Sequence, residues 1–194
     1  MPANTHGLLG CILAGGLSSR MGQDKALLWH NGTTLLERIY AVVCEIVPSV
    51  VVTRDRLYEG CPCLVEQGER TGPIGGIVRG LEEADRRNLR GILVVACDMP
   101  FIQTNTLQTL LDAEQDAPGA LEILFCRRMV GGQQGKHDVF EQNLAAIYRL
   151  QCLPFLKDAI KQKKYSLRKC IPDEYKKRIW YTIEEEKNFL NVNT

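Results

Sequence analysis

The sequence predicts a three-layer α/β/α sandwich built on a mostly parallel sheet. Three observations carry that expectation. Short apolar, strand-like runs alternate with stretches of helical periodicity. One run, Gly91-Ile92-Leu93-Val94-Val95-Ala96-Cys97, is apolar without a break, as suits a central parallel strand covered on both faces. The residues with the most chemistry, Gly15-Gly16 and Asp98, fall directly after such runs, where open α/β sheets bind their ligands.

The elements follow in order. Residues 8–14 read as the first buried strand. Residues 33–47 read as a helix: Leu35, Leu36, Ile39, Val42 and Val43 repeat at the helical period, Glu37 stands where a capping-box partner of Thr34 belongs, and Pro48 marks the end. Strand-like runs then cover 49–53, 63–66, 91–97 and 121–127, with helical patterns at 75–87 and 104–116 between them. Beyond these, helical patterns at 141–150 and 154–164 lead to short strand candidates at 167–171 and 178–183. No linker rich in Pro, Gly or Ser, no internal repeat and no low-complexity tract interrupts the chain, so one domain spanning 1–194 is the expectation.

Composition narrows the function. At 194 residues, 45% of them hydrophobic, the chain is long enough for a substantial core; a domain of this size buries roughly 70% of its unfolded surface. The net charge of +1 gives no electrostatic footprint for nucleic acid or a membrane surface. No apolar run reaches the ~18 residues of a membrane span. The first residues carry no basic region ahead of an apolar one, so the expected location is the cytoplasm. Of the eight cysteines, Cys11, Cys97 and Cys126 sit inside apolar runs, which favours buried or incidental free thiols over redox or metal roles. Cys61-Pro62-Cys63 is spaced too closely for a usual zinc pair.

The segment with the most information is Leu13-Ala14-Gly15-Gly16-Leu17-Ser18-Ser19-Arg20-Met21-Gly22-Gln23-Asp24-Lys25. A glycine-rich loop after a buried strand lets backbone N–H groups approach phosphate oxygens, and Arg20 and Lys25 offset the charge. It is not a Walker A loop, because Gly16 and Gly22 are too far apart and Gln23 follows Gly22. Nor does Gly15-Gly16 followed by Leu17-Ser18-Ser19 fit the dinucleotide fingerprint. Asp98, in Cys97-Asp98-Met99-Pro100, is either a turn-forming aspartate or a Mg²⁺ ligand, since Mg²⁺ needs few carboxylates when phosphates and water complete its shell. Gly72-Pro73-Ile74-Gly75-Gly76-Ile77 is a stiff turn feeding a helix, serving either packing or the close approach of a flat base or ribose.

Residues 13–25 resemble the LxGGxxxRMGxDK signature of α/β nucleotidyltransferases that activate sugars and cofactors, and more narrowly the MobA-like molybdenum cofactor guanylyltransferase family. Cys97-Asp98-Met99-Pro100 matches that family's CDxP element. Residues 72–77 resemble its GPLxGI element with Ile74 for Leu, and Asn191-Val192-Asn193-Thr194 matches its NVNT element. The resemblance implies a Rossmann-like sheet of the nucleotide-diphospho-sugar transferase type. It implies transfer of GMP from GTP to Mo-molybdopterin, giving molybdopterin guanine dinucleotide and pyrophosphate. Related cytidylyltransferases have alanine at the place of Gly15 and a different segment at Gly72-Pro73, so both features favour guanine. Two departures stand out: Glu66 where the family has aspartate, and Gly135-Lys136 ahead of His137 where it has Pro-Leu.

The same resemblance assigns roles. Arg20 and Lys25 would meet the triphosphate, and Asp98 would hold Mg²⁺. Leu13, Ala14, Gly15, Gly16, Thr53, Glu66, Gly72 and Pro73 would contact the nucleotide. The implied partners are GTP, Mo-molybdopterin and the proteins that deliver or accept the molybdenum cofactor. The attacking oxygen belongs to a phosphate monoester whose second pKa is near ~6, so it is already ionised at neutral pH and needs no general base. This agrees with a chain whose histidines, His6, His30 and His137, form no evident catalytic set. The alternatives are a relative using CTP or a sugar or alcohol phosphate acceptor, and a non-catalytic nucleotide-binding module.

Overall fold

The computed structural model describes residues 7–15, 24–30, 32–54, 58, 60–65, 71–128 and 139–191. Its strands are β1 (Leu8–Leu13), β2 (Trp29–His30), β3 (Thr33–Thr34), β4 (Val50–Arg54), β5 (Cys63–Val65), β6 (Gly91–Ala96), β7 (Glu122–Arg128), β8 (Val139–Arg149) and β9 (Lys176–Trp180). Its α-helices are α1 (Leu35–Ile46), α2 (Pro73–Arg86), α3 (Thr104–Gln115), α4 (Leu153–Lys161) and α5 (Leu167–Cys170). A seven-stranded sheet runs β5-β4-β1-β6-β8-β7-β9, and β2 and β3 form a separate small hairpin. Within the large sheet only β8 runs against its neighbours.

The two apolar strands at the centre behave as their composition requires. Every residue of β1 and of β6 is buried, and the side chains alternate between two cores. Leu8, Ile12, Leu93 and Val95 pack with Leu36, Ile39, Leu107 and Leu110, from α1 and α3. Leu9, Cys11, Ile92 and Val94 pack with Ile74, Ile77, Leu81 and Leu156, from α2 and α4. That is the expected three-layer arrangement.

The cap on α1 forms as the sequence predicts. Thr34 Oγ1 accepts from the Glu37 N–H at 3.2 Å, and Glu37 Oε2 accepts from the Thr34 N–H at 2.8 Å. Thr33 and Thr34 themselves belong to β3, and of the helical pattern at 33–47 the helix takes Leu35–Ile46, starting directly after its cap.

The region beyond residue 138 departs from the expectation. Residues 141–150 form most of β8 rather than a helix. Leu144, Ala145 and Ala146 are strong helix formers, but β6 and β7 pair with both edges of this segment, and Ala145, Ala146 and Ile147 are fully buried there. Tertiary pairing overrides the local preference. Residues 167–171 contribute the short helix α5 instead of a strand, and the last strand is 176–180 rather than 178–183. Its charged sequence is tolerated because Lys176 Nζ lies 3.2 Å from Glu141 Oε2 and Arg178 bonds Glu141 Oε1 at 2.7 Å.

The order of strands creates a switch point. From β1 the chain passes to β4 and β5 on one side, then crosses back to β6 on the other. The carboxyl ends of β1 and β6 stand side by side at that switch, at the crevice position where open α/β sheets take their ligands.

Gly91 shows how tightly β8 closes against β6. A Cβ there would stand 2.3 Å from the Tyr148 carbonyl oxygen and 2.8 Å from Arg149 Cα, both backbone atoms. Gly91→Ala is expected to destabilise the fold by about 1–3 kcal/mol through overpacking. Gly119→Ala, where a Cβ meets nothing within 4 Å, serves as the neutral control in the same urea titration.

Candidate active site

The crevice is built from the ends of three adjacent parallel strands. Leu13, the last residue of β1, is in register with Thr53 of β4 on one side and Ala96 of β6 on the other. The pairing continues one step past the strand: the Ala14 N–H donates to the Thr53 carbonyl at 3.0 Å, and the Cys97 N–H donates to the Leu13 carbonyl at 3.1 Å. Leu13 and Ala14 are thus locked in place and buried, and Gly15 is the first exposed residue of the loop.

Asp98 stands one residue beyond Cys97, on the same strand ends. Its turn is fixed by the Met99 N–H to the Ala96 carbonyl at 3.4 Å and the Ile102 N–H to the Met99 carbonyl at 3.2 Å. Arg38 of α1 donates through Nε to the Pro100 carbonyl. Asp98 Oδ1 is buried with no hydrogen-bond partner. Burial raises the carboxyl above its ordinary pKa, while the Lys25 ammonium and Asp98's own backbone N–H pull it down. Lys25 therefore acts electrostatically on Asp98 across the crevice. Burial, together with the charges of Asp98 and Asp24, pushes the neighbouring Cys97 thiol up to about 12, which makes it an inert packing group.

Lys25 opens a short 3₁₀ turn, Lys25–Leu27, whose N-cap is Asp24. Thr53 is fully buried and its Oγ1 has no hydrogen-bond partner. Gly72 and Pro73 start α2, which packs on β1, β6 and β4. Gly72 has φ +71° and ψ −155°, a backbone conformation that a side chain would strain. Space is open in front of it, since a Cβ there would meet nothing within 4 Å. Pro73 occupies the first turn, where its missing N–H costs nothing. Ile74 anchors the turn in the same core as Leu13.

Leu13, Ala14, Gly15, Lys25, Thr53 and Asp98 thus gather at one end of the sheet, with Gly72 and Pro73 at the start of the helix beside it. Gly16, Arg20 and Glu66 lie outside the described residues, as do Gly135, Lys136, His137 and Asn193. Two residues that sequence reasoning passed over also belong to this end. Arg54, the last residue of β4, is among the largest fully buried side chains and forms an ion pair with Asp24. The signal available was a cation placed at the end of the apolar run Val50-Val51-Val52. A cavity of about 770 Å³ lined by Phe155, Tyr165 and Lys169 lies among α4 and α5 and includes none of these residues.

The donor set suits a divalent cation bound with phosphate. It offers one buried carboxylate oxygen without a partner, a nearby ammonium, and open space in front of Gly72. The described residues contain no cluster of three or more His, Cys, Asp or Glu able to hold a metal by themselves.

A family model described as a MobA-like NTP transferase domain matches residues 10–175. A probable molybdenum cofactor guanylyltransferase of Opitutus terrae is 31% identical, over 96% of this chain and 90% of that protein. The molybdenum cofactor guanylyltransferase of Xanthomonas euvesicatoria is 32% identical, over 95% and 89%. Among solved structures, molybdopterin-guanine dinucleotide biosynthesis protein A from Archaeoglobus fulgidus superposes with a TM-score of 0.67 at 23% identity, covering 96% of this chain and 93% of that one. A CMP:2-keto-3-deoxy-manno-octonic acid synthetase in complex with CTP reaches 0.66 at 12% identity, covering 90% of each chain. These two share the fold, which is the α/β Rossmann-like one expected from the sequence.

Burial of Asp98 has a consequence for stability. A carboxyl whose folded pKa is raised binds its proton more tightly in the native state, so its ionisation destabilises the fold as pH rises. Asp98→Asn is expected to stabilise the ligand-free protein at pH 7. The gain should vanish once the pH falls below the ordinary carboxyl value of 3.8, where both states are protonated. Denaturant midpoints of the two proteins across pH 3–8 check it.

Proposed function

This chain belongs to the MobA-like NTP transferase family, and from that premise we propose that it transfers GMP from GTP to the terminal phosphate of Mo-molybdopterin. The chain is a nucleotidyltransferase, and its curated relatives carry the guanylyltransferase name over nearly its whole length. The observation that supports the site is the electrostatic pairing of Lys25 with Asp98, whose buried Oδ1 has no hydrogen-bond partner, beside the carboxyl ends of β1 and β6.

In this reading an acceptor phosphate oxygen attacks the α-phosphorus of GTP. A new P–O bond forms, the bond from the α-phosphorus to the β-phosphate oxygen breaks, and pyrophosphate departs with the electron pair. The acceptor oxygen arrives ionised, so the protein supplies alignment and charge rather than a base. Lys25, with Arg20, stabilises charge on the triphosphate and on departing pyrophosphate. Gly15 lets the loop backbone approach the nucleotide, and the Gly72-Pro73 turn leaves room for the flat base. Thr53 and Glu66 supply polar contacts to the nucleotide. Asp98 would hold the divalent cation, Mg²⁺ in this reading, which when bound neutralises phosphate charge. The chain would act as a single domain in the cytoplasm, alongside proteins that deliver or receive the molybdenum cofactor. Among the described residues no helix is long and apolar enough to cross a membrane.

Pyrophosphate release with Mg²⁺ and molybdenum-loaded molybdopterin, comparing GTP with CTP, tests the proposal. Release with GTP is expected, and Asp98→Ala or Lys25→Ala should lower it about 10²–10³-fold, as the loss of a fixed electrostatic stabiliser does. Turnover only with CTP would move the chain to the cytidylyl branch. Silence with both would remove the acceptor assignment, and wild-type turnover in Lys25→Ala would remove that residue's role.

A further inference from the structure

Asp24 is held from two sides. Its Oδ1 accepts the Ala26 N–H at 3.1 Å, capping the turn that begins at Lys25. Its Oδ2 takes the ion pair from Arg54 Nη2, thirty residues away in sequence. Arg54 closes β4, its neighbour Thr53 is bonded through its carbonyl to Ala14, and its own register partner is Val65 of β5. The pair therefore ties the carboxyl-terminal stem of the glycine-rich loop to a strand end that already holds the amino-terminal stem.

Packing does not account for Arg54. Its side chain is 1% exposed, and its Nε and Nη1 have no hydrogen-bond partner. The Tyr58 ring, 5.6 Å from Cζ, offers a cation–π contact. A buried guanidinium with one carboxylate and two unpartnered nitrogens is a poor way to stabilise a fold, because an apolar side chain of similar size avoids the desolvation cost. What the charge does provide is a directional hold on Asp24, and through Asp24 on the residue that follows it.

We propose that Arg54 is a positioning residue: its ion pair with Asp24 sets the turn that carries Lys25, and so fixes where the Lys25 ammonium stands against the triphosphate. The inference rests on the nucleotidyltransferase reading above, and it reaches the reaction only through Lys25.

A double-mutant cycle separates this role from a structural one. The four proteins are the wild type, Arg54→Met, Lys25→Ala and the double variant, each assayed for kcat/KM with GTP and for GTP binding by calorimetry with Mg²⁺. Arg54→Met keeps the volume and removes the charge. It is expected to lower kcat/KM by up to about a hundredfold when Lys25 is present, the scale of a misplaced catalytic group. With Lys25 already replaced, it should change kcat/KM within about twofold, inside the scatter of independent sites. Arg54→Lys, which keeps a cation for Asp24, should recover most of the loss. Equal losses in both backgrounds would overturn the proposal, as would an unaffected Arg54→Met. Should Arg54→Met fail to fold by circular dichroism, Asp24→Asn replaces it. That variant keeps an oxygen for the Ala26 N–H, drops the charge, and must show the same dependence on Lys25. If the wild type binds GTP without turnover, the catalytic reading falls while the same cycle, read on binding, still decides the clamp. A wild type that neither turns over nor binds GTP overturns both.

Discussion

The register of β1 between β4 and β6 is the constraint on which the site depends. Both edges of β1 are paired in parallel, so Leu13 stands level with Thr53 and with Ala96. A parallel sheet has all its strand ends on one side, and the switch from β4 to β6 opens that side. Asp98, Thr53 and the glycine loop meet because three strands stop at the same height. A slip of one residue in β1 would exchange its two buried faces, and every position along it belongs to one of the two cores except Gly10, over which Val43 and Val47 close. Packing along the strand thus fixes the geometry at its end.

Buried polar groups gather at two places in the molecule. In the β7, β8 and β9 region, Lys176 and Arg178 are matched by Glu141 and Asp173, and Asn143 donates to Glu122 at 2.9 Å. These charges make the polar edge strand β9 tolerable inside a sheet. Glu122 Oε2 still lacks a hydrogen-bond partner there, and at the crevice so do Asp98 Oδ1, Thr53 Oγ1, and Arg54 Nε and Nη1. Each such atom costs free energy that the two apolar layers must offset. Four such atoms gather at the crevice end of the sheet, where a charged ligand can complete them, and burial there raises the Asp98 carboxyl above its ordinary pKa.

What was legible in the sequence followed from how local each signal is. β1 and β6 could be read because a strand buried on both faces has no polar face to disguise it. The α1 start could be read because its cap is four residues long and self-contained. β8 could not, since its strand character comes from β6 and β7 rather than from Leu144-Ala145-Ala146. At the site, Asp98 can be read as a charge directly after an apolar run, and Lys25 as the cation that closes the glycine-rich motif following another. Thr53 entered only through resemblance to a family, because a threonine ending a strand has no local mark. For Arg54 the cation after Val50-Val51-Val52 is in view but its role is not: that lies in Asp24, and nothing in the sequence brings the two together until the register of β4 against β1 is known.

The three turns that frame the crevice are each anchored to a different part of the fold. The Asp98 turn is held from α1 by Arg38 at the Pro100 carbonyl. The Lys25 turn is held from β4 by the Arg54–Asp24 pair. The Gly72-Pro73 turn is set by α2, through Ile74 in the core shared with Leu13. For a group proposed to act on a triphosphate, position has to be fixed more closely than a loop alone can fix it, because small displacements weaken both alignment and electrostatic stabilisation. Anchoring each turn by a side chain from a packed element gives loops the rigidity of the sheet. It also means that the charge on Lys25 and the charge on Asp98 are positioned independently, so either can be disturbed from a distance without the other.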